Sequence, residues 1–566
     1  MSRYVALLGG LIVACATMAN VHTSPHTVFH SEWFAAFGSL LAGYVLLGQS
    51  AGRFRLGSFA LVATLLLFAS LLHATGVGAN SGAPLYLALF LLCYGIGQQR
   101  EPVALGPWIA KGMLLCALLQ SLASVAQLAG WSLGGLIMPK IYQQAFGNIG
   151  QANHYTDLIF LGLASLCYLR VVYALGFAVF AGLAAWLCLS GAASASRGAW
   201  LYTAAFLVLG IWGLWRSREL AVRRGALALL VVAGLSILAQ LLVSYGNLLA
   251  VFGITSSLAR ASDAGSNGQR LYDWHAAWLA IQASPWWGEG PGSFYKLSVD
   301  AMAKTGPTPF AKFAEHAHNL PLQLGAEYGV PVALIAVVGM FGWYLKHLLR
   351  KPSPLSLWVL SCVAVTGLHS LVEYPLWYTY FLIPMALCIG ALDAQDETLP
   401  TLRLPRWLGQ IACVAGVGVL SWTMADWMAV RSAYLSLNEV EPAVTADASA
   451  EALAALAPVS RLSLFAPVAE SLRVQAWRAE SGQAEAIAAY CERVWPYKPG
   501  WYMMMRCGEA YAISGYRAAL DRLLMAACEG FPKHHAPLRA WAVKFDAKNL
   551  APVKIAERAC LQNTPP

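Results

Sequence analysis

Thirteen apolar runs set the terms for this chain. They lie at about 4–20, 33–48, 57–73, 83–99, 107–129, 155–171, 172–189, 199–215, 224–245, 330–349, 355–371, 376–392 and 408–425. At roughly 17–22 residues, each can carry a helix through ~30 Å of hydrocarbon. Lipid offers backbone N–H and C=O groups no partners, so runs of this length read as helices. The expected fold is all-α and polytopic, with about 13 transmembrane helices. Composition agrees: 58% of the 566 residues are hydrophobic and only 11% charged, against roughly 25% charged in soluble domains. The formal charge of +9 implies no nucleic-acid partner here, because excess Lys and Arg belong first to cytoplasmic loops.

Strict alternation of the runs sorts those charges. One side receives Arg3, Arg53, Arg55, Arg100, Arg170, Arg216, Arg218, Arg223, Arg224, Lys346, Arg350, Lys351, Arg403 and Arg406. The short loops opposite hold little more than Lys140 and Arg197. The first side is therefore read as cytoplasmic, with the N-terminus on it and the C-terminus across the membrane. The start, MSRYVALLGGLIVACATMAN, has the layout of a cleaved signal peptide, but the many apolar runs behind it favour an uncleaved first membrane helix. The outer side then holds the loop 130–154, the short loop 190–198, the long loop 246–329, the turn 371–376 and a tail from about 426. Residues 1–425 read as a membrane domain that includes the long loop. Residues 426–566, rich in Ala, Glu, Arg and Leu at helical spacing, read as a small all-helical soluble domain. Eight of twelve cysteines lie in membrane runs as small packing residues. The other four, Cys491, Cys507, Cys528 and Cys560, fit two disulfides in any of three pairings, with four buried thiols as the alternative.

Four outer stretches carry the unusual polar residues. FGNIGQANHYTD (146–157) offers Gln151, Asn153 and His154 where a helix enters the membrane. Its plain reading is a polar loop with Asn153 as helix cap. SGAASASRGAW (190–200) places Arg197 at a helix start on the side poor in charge, where an interfacial snorkelling Arg is the plain alternative. The long loop carries SNGQRLYDWHAAWLAIQASPWWGEGPGSF. Arg270, Tyr272, Asp273 and Trp274 are expected to begin a short amphipathic helix, with Ala276, Ala277, Trp278 and Ile281 behind them. A sharp aromatic turn follows. AEHAHNLPLQLGAEYGVP (314–331) comes next, with His316, His318 and Asn319. LHSLVEYPLWYTYFL (368–382) places His369 and Glu373 at the membrane boundary, where ionisable groups are expensive, and Pro375 between two helices. Tyr374 and Tyr378 sit in the same turn, among aromatics that also suit an interfacial belt. Two histidines two residues apart make a poor metal pair on a helix, and no HExxH, CxxC or DxD spacing occurs. No metal or other cofactor is expected. The set reads instead as a neutral imidazole able to take a proton from a hydroxyl, with forked guanidinium groups suited to a diphosphate.

Together, FGNIGQANH, SASRGAW, QRLYDWHAAW…PWWGEGPGSF, HAHNLPLQLGAEYGVP and HSLVEYPLWYTYFL resemble the bacterial protein O-oligosaccharyltransferases of the PglL type. These belong to the wider superfamily of O-antigen ligases and Wzy-type polymerases. The resemblance spans roughly residues 130–395. It implies a GT-C-like ligase fold in the inner membrane, with active site and tail in the periplasm. It further implies en bloc, metal-independent transfer of an oligosaccharide from undecaprenyl diphosphate to Ser or Thr of a periplasmic or pilin-like protein. By that resemblance His318, Arg197 and Arg270 are the catalytic set. His318 handles the hydroxyl proton, and the two arginines hold the diphosphate. Gln151, Asn153, His154, Asn319, Glu373, Tyr374 and Tyr378 line the substrates, with the essential tyrosine left open between 374 and 378. The rivals are an O-antigen ligase acting on lipid A–core, a Wzy-type polymerase acting on a growing glycan, and, in another class, a lipid-linked sugar transporter. The tail favours a protein acceptor, since a large helical domain suits positioning one. A transporter would place its polar groups at mid-membrane within internal repeats, and these lie at one surface with no repeat.

Overall fold

The computed structural model describes residues 2–49, 52–73, 82–99, 102–246, 249–254, 256–258, 264–306, 308–438 and 444–558. Among these, the first nine helices are α1 (Ser2–Cys15), α2 (Phe29–Gly48), α3 (Ser58–His73), α4 (Gly82–Gly97), α5 (Pro102–Leu128), α6 (Ala152–Val172), α7 (Phe177–Ala193), α8 (Gly198–Arg216) and α9 (Leu220–Ser244). Two loop helices follow, α10 (Ala264–Ala283) and α11 (Phe294–Thr305). Then come α12 (Leu320–Leu349), α13 (Pro354–His369), α14 (Thr379–Asp393) and α15 (Arg406–Asn438). Seven of these helices, α2, α5, α6, α8, α9, α12 and α15, are long and apolar enough to cross a membrane. Six shorter apolar helices, α1, α3, α4, α7, α13 and α14, account for the remaining apolar runs. The chain is thus an all-helical polytopic membrane protein. The two runs across 155–189 separate cleanly, because α6 ends at Val172 and Gly176 starts α7.

The chain divides into two compact units. The first comprises residues 1–65, 86–263 and 335–420. Its centre is α6, buried continuously from His154 to Leu169 and packed by α5, α7, α8, α9 and α13. Small residues permit close approach: a Cβ on Gly162 would come within 2.3 Å of Ala117. Polar side chains inside the bundle bond across helices, as lipid demands: Trp358 donates to Ser165 at 3.1 Å, and Thr203 and Ser236 hydroxyls meet at 2.8 Å. At one end, β1 (Arg53–Arg55) pairs antiparallel with β2 (Thr401–Arg403), Arg53 opposite Arg403. Nearby, Asp396 takes Lys346 at 2.6 Å and Arg350 at 2.7 Å. Burial opposes the charge on this carboxylate, but the hydrogen bonds from Arg350, Lys346 and Thr398 win and hold its pKa well below the usual range. The two paired segments lie in loops that strict alternation assigns to the same side.

The second unit comprises residues 66–85, 264–334 and 421–566. Its tail is helical throughout: α16 (Ala446–Leu456), α17 (Ala466–Gln475), α18 (Ala484–Val494), α19 (Trp501–Ile513), α20 (Arg517–Gly530) and α21 (His535–Asp546). The tail core is built from Leu520, Leu523, Leu524, Met503, Met504 and Phe545, and it takes in Val299 of α11. Phe313 stacks edge-on against Phe531 at 5.0 Å. The long loop and the tail therefore share one core. Two expectations need correction. The last apolar helix does not stop at 425 but runs unbroken to Asn438. The loop helix begins at Ala264, six residues before Arg270, and its Trp278 points outward at 51% exposure.

Cys491 and Cys507 form a disulfide between α18 and α19. Cys528 is also disulfide-bonded, and Cys560 lies outside the described residues. The eight described membrane cysteines are free thiols. Closing a loop with a sequence separation of 16 restricts the unfolded chain by about 3 kcal/mol. Cys491→Ala/Cys507→Ala is therefore expected to lower the unfolding midpoint of the tail by several degrees, read by tryptophan fluorescence of the full chain in detergent. An unchanged midpoint would show that the bond adds nothing to stability.

Candidate active site

In the membrane unit, three of the sequence stretches meet at one residue. Asn153 does not take the cap position of its plain reading: Gln151 occupies the N-cap, without a side-chain cap bond, and Asn153 stands in the first turn of α6. From there its Nδ2 donates to Glu373 Oε1 at 3.0 Å, and its Oδ1 accepts from Ser196 Oγ at 2.9 Å. Asn153 thus ties the 190–198 loop to the 371–376 turn. A second tie runs between Thr156 and Ser194 hydroxyls at 2.6 Å. Arg197 follows at the start of α8, half-buried. Gln120, Gln127 and Asn148 hold the preceding loop in place, Asn148 N donating to Gln120 Oε1 at 2.9 Å and Gln127 Nε2 donating to Met138 O at 3.0 Å.

One helical turn deeper, His369 Nδ1 lies 2.8 Å from Asp157 Oδ2, with both side chains buried. His154 packs on this pair, its ring 5.7 Å from that of His369, and on Tyr378 at 4.6 Å. Tyr374 stacks on Tyr378 at 5.9 Å, and Tyr378 on Tyr380 at 5.3 Å. Of the two candidate tyrosines, Tyr378 is therefore the one against His154. His154 Nε2, His369 Nε2 and Asp157 Oδ1 are buried and make no hydrogen bond to the described residues. Glu32, buried at the head of α2, accepts from the Tyr86 hydroxyl and, through its carbonyl, from Thr379 Oγ1 at 2.9 Å.

In the second unit, residues 311–319 are irregular and α12 starts at Leu320. Asn319 caps it, Oδ1 accepting from Leu322 N at 3.1 Å, and Gln323 Oε1 accepts from Ala317 N at 2.6 Å. Held between these two bonds, His318 adopts a left-handed backbone, φ 52°. That conformation costs a non-glycine residue about 1–3 kcal/mol and recurs at functional sites. It brings His318 Nδ1 to 3.3 Å from Asp273 Oδ2, within ion-pairing distance but off the line of a good hydrogen bond. Asp273 is 1% exposed and His318 25%, so the carboxylate is interior and the imidazole reaches outward. Gln269 Nε2 donates to the other carboxylate oxygen at 2.9 Å. Arg270 lies half-buried on the same helix, α10. Burial raises the pKa of the neighbouring Tyr272 phenol, leaving it neutral beside the carboxylate.

A carboxylate beside an imidazole helps the ring to hold a proton taken from a substrate. The arrangement suits removal of a proton from a hydroxyl. Comparison with known proteins points the same way. Residues 179–337 match the O-antigen ligase family. Residues 357–545 match the C-terminal region of virulence factor membrane-bound polymerases. A general O-oligosaccharyltransferase of Acinetobacter baylyi is 24% identical over 457 residues, covering 77% of this chain and 78% of that protein. A ComP-specific O-oligosaccharyltransferase of the same organism is 26% identical over 277 residues, 47% of this chain and 49% of its own length. The chain is thus similar to O-antigen ligases over residues 179–337 and, over most of its length, to O-oligosaccharyltransferases.

Arg197, Arg270 and His318 all fall within the O-antigen ligase segment, whereas Glu373, Tyr374 and Tyr378 fall within the polymerase-type segment. Asp273, which pairs with His318, does not stand out in the sequence as a functional residue. It sits 45 positions before His318 and reads there as one polar residue of an amphipathic helix. For the same reason, Asp157 and the buried orientation of His369 do not stand out. The available signal was their cost: ionisable groups at membrane depth require partners.

Proposed function

We propose that the protein is a metal-independent glycosyltransferase that moves an oligosaccharide en bloc from undecaprenyl diphosphate to Ser or Thr hydroxyls of periplasmic or pilin-like proteins. The observation that carries this reading is the His318–Asp273 pair within the O-antigen ligase segment. The acceptor oxygen attacks the anomeric carbon, and the bond from that carbon to the diphosphate oxygen breaks. The hydroxyl proton passes to His318 Nε2, and undecaprenyl diphosphate leaves. Arg197 and Arg270 stabilise the charge that develops on the diphosphate. Gln151, Asn153, His154, Asn319, Glu373, Tyr374 and Tyr378 position the substrates. In-line attack inverts the anomeric centre, and a retained linkage in the product would sink that step.

The same reading places all thirteen apolar helices across the bacterial inner membrane, with the N-terminus cytoplasmic and the outer loops and tail periplasmic. Residues 1–425 then form the catalytic membrane region and 426–566 the periplasmic domain. The shared side of β1 and β2 supports the alternation, and the names of the relatives support a protein acceptor.

The test is a transfer assay in a bacterial host lacking its own O-antigen ligase, supplied with a lipid-linked oligosaccharide and a pilin-type acceptor. Sugar on the acceptor protein is the expected result. Sugar confined to lipopolysaccharide would make the protein an O-antigen ligase. Chain elongation of the lipid-linked glycan alone would make it a polymerase.

A further inference from the structure

The stretch SPWWGEGPG, residues 284–292, forms a turn in which Gly288, Gly290 and Gly292 take φ of 75°, 90° and 78°. It is welded to the start of α12. Val330 N donates to Pro285 O at 2.7 Å, Glu289 N to Ala326 O at 3.0 Å and Gly290 N to Glu327 O at 2.9 Å. Gly292 N donates to the buried Glu327 carboxylate at 2.8 Å. The backbones are so close that a Cβ on Gly329 would meet the Trp286 carbonyl at 2.6 Å. A turn held this firmly nevertheless leaves Trp286 78% exposed. On α10 the exposed positions 271, 275, 278 and 282 recur at helical spacing and bring Leu271 and Trp278 onto one outward stripe. Along α12 the exposed residues begin at Val330 and continue through Leu334, Val338 and Phe341.

We propose that Trp286, with Trp278 and Leu271, sits in the phospholipid headgroup layer and holds the His318 segment at that height. The occupant is bilayer lipid rather than a protein, because the tryptophan turn is bonded to α12 where that helix begins to expose apolar side chains, at Val330 and Leu334. The outward stripe of α12, a helix long and apolar enough to cross the membrane, begins one residue after Gly329, whose backbone touches Trp286. An indole has an apolar body and an N–H donor, which suits the boundary between hydrocarbon and water. His318 is fixed to the first turn of α12 through Asn319 and Gln323. The tryptophan turn is fixed to Ala326 and Glu327, about two turns on and ahead of the break in the helix at Gly329 (φ 79°). The two therefore share one helical mount, roughly 10 Å long, and lipid contact at one end sets the depth of the other. This placement of His318 rests on the transferase reading, but the lipid contact does not.

The test is photo-crosslinking in liposomes of phosphatidylethanolamine and phosphatidylglycerol. Trp286, Trp278 and, as a comparison, the exposed tail residue Leu462 are each replaced by p-benzoylphenylalanine in the full chain. Illumination and intact-mass measurement then count phospholipid adducts. Adducts at positions 286 and 278 several-fold above those at 462 are expected, and the readout requires no transferase activity. Equal labelling at all three positions, or adducts at 286 and 278 to protein alone or to added lipid-linked oligosaccharide in place of phospholipid, would overturn the proposal. Position 278 serves as the second variant should substitution at 286 disturb the turn.

Discussion

His318→Asn lowers glycan transfer by about 10²–10⁴-fold, the range that a positioned general base contributes, while the protein unfolds no earlier than the wild type. The substitution is chosen for the backbone. At φ 52° an alanine would stay strained, whereas asparagine tolerates the left-handed region better than most residues. A loss of activity then cannot be assigned to a misplaced segment. Asp273→Asn is expected to follow in the same direction. It keeps the shape and the Gln269 contact but removes the charge that stabilises an imidazolium and orients Nδ1. Its effect belongs on the turnover number rather than on KM, since the buried carboxylate acts through His318 and not on substrate. A time course of acceptor glycosylation at saturating and limiting donor separates the two. Near-normal turnover in His318→Asn would remove the histidine from the chemistry. A pure KM change in Asp273→Asn would make that residue structural.

The second large effect concerns stability. Asp157 and His369 are both buried and 2.8 Å apart between α6 and α13. Asp157→Ala strips the buried pair of one partner, and such a loss typically costs about 3–5 kcal/mol. Asp157→Leu/His369→Leu removes both polar groups and is expected to recover most of that stability, because a matched apolar pair is often neutral or better. Thermal unfolding of the three proteins measures the cycle. Transfer by the double variant then separates two roles. Restored stability with restored transfer would make the pair a packing device. Restored stability without transfer would mean that it positions His154 and Tyr378, which lie against it.

The membrane framework was legible because lipid imposes it. A run of apolar residues has few alternatives to a helix, and each of the thirteen runs found one. What failed did so where partners are distant in sequence or where lipid inverts a familiar rule. Asn153 looked like a cap because caps are local, yet its partners Ser196 and Glu373 lie 43 and 220 positions away. Asp273 looked like the polar side of a helix, and nothing in AEHAHN announces the left-handed turn that delivers His318 to it. Trp278 reads with Ala276, Ala277 and Ile281 as the back of that helix, yet it is 51% exposed while the other three are buried. The end of the last apolar run at 425 was read from hydropathy alone. The helix beyond it persists because Trp427, Val430, Ala433 and Leu437 keep a buried face at helical spacing.

The short β1–β2 ladder has a consequence in time. Arg53 finds its partner only when Arg403 has been made, so the first strand waits about 350 residues, or roughly 20–70 s at ordinary rates of synthesis. Glu32 waits almost as long for Thr379. Throughout that interval the early helices lack these ties, with an unpaired strand edge and a Glu32 backbone carbonyl still short of its final partner. Two of the chain's earliest segments are therefore among the later ones to become fixed.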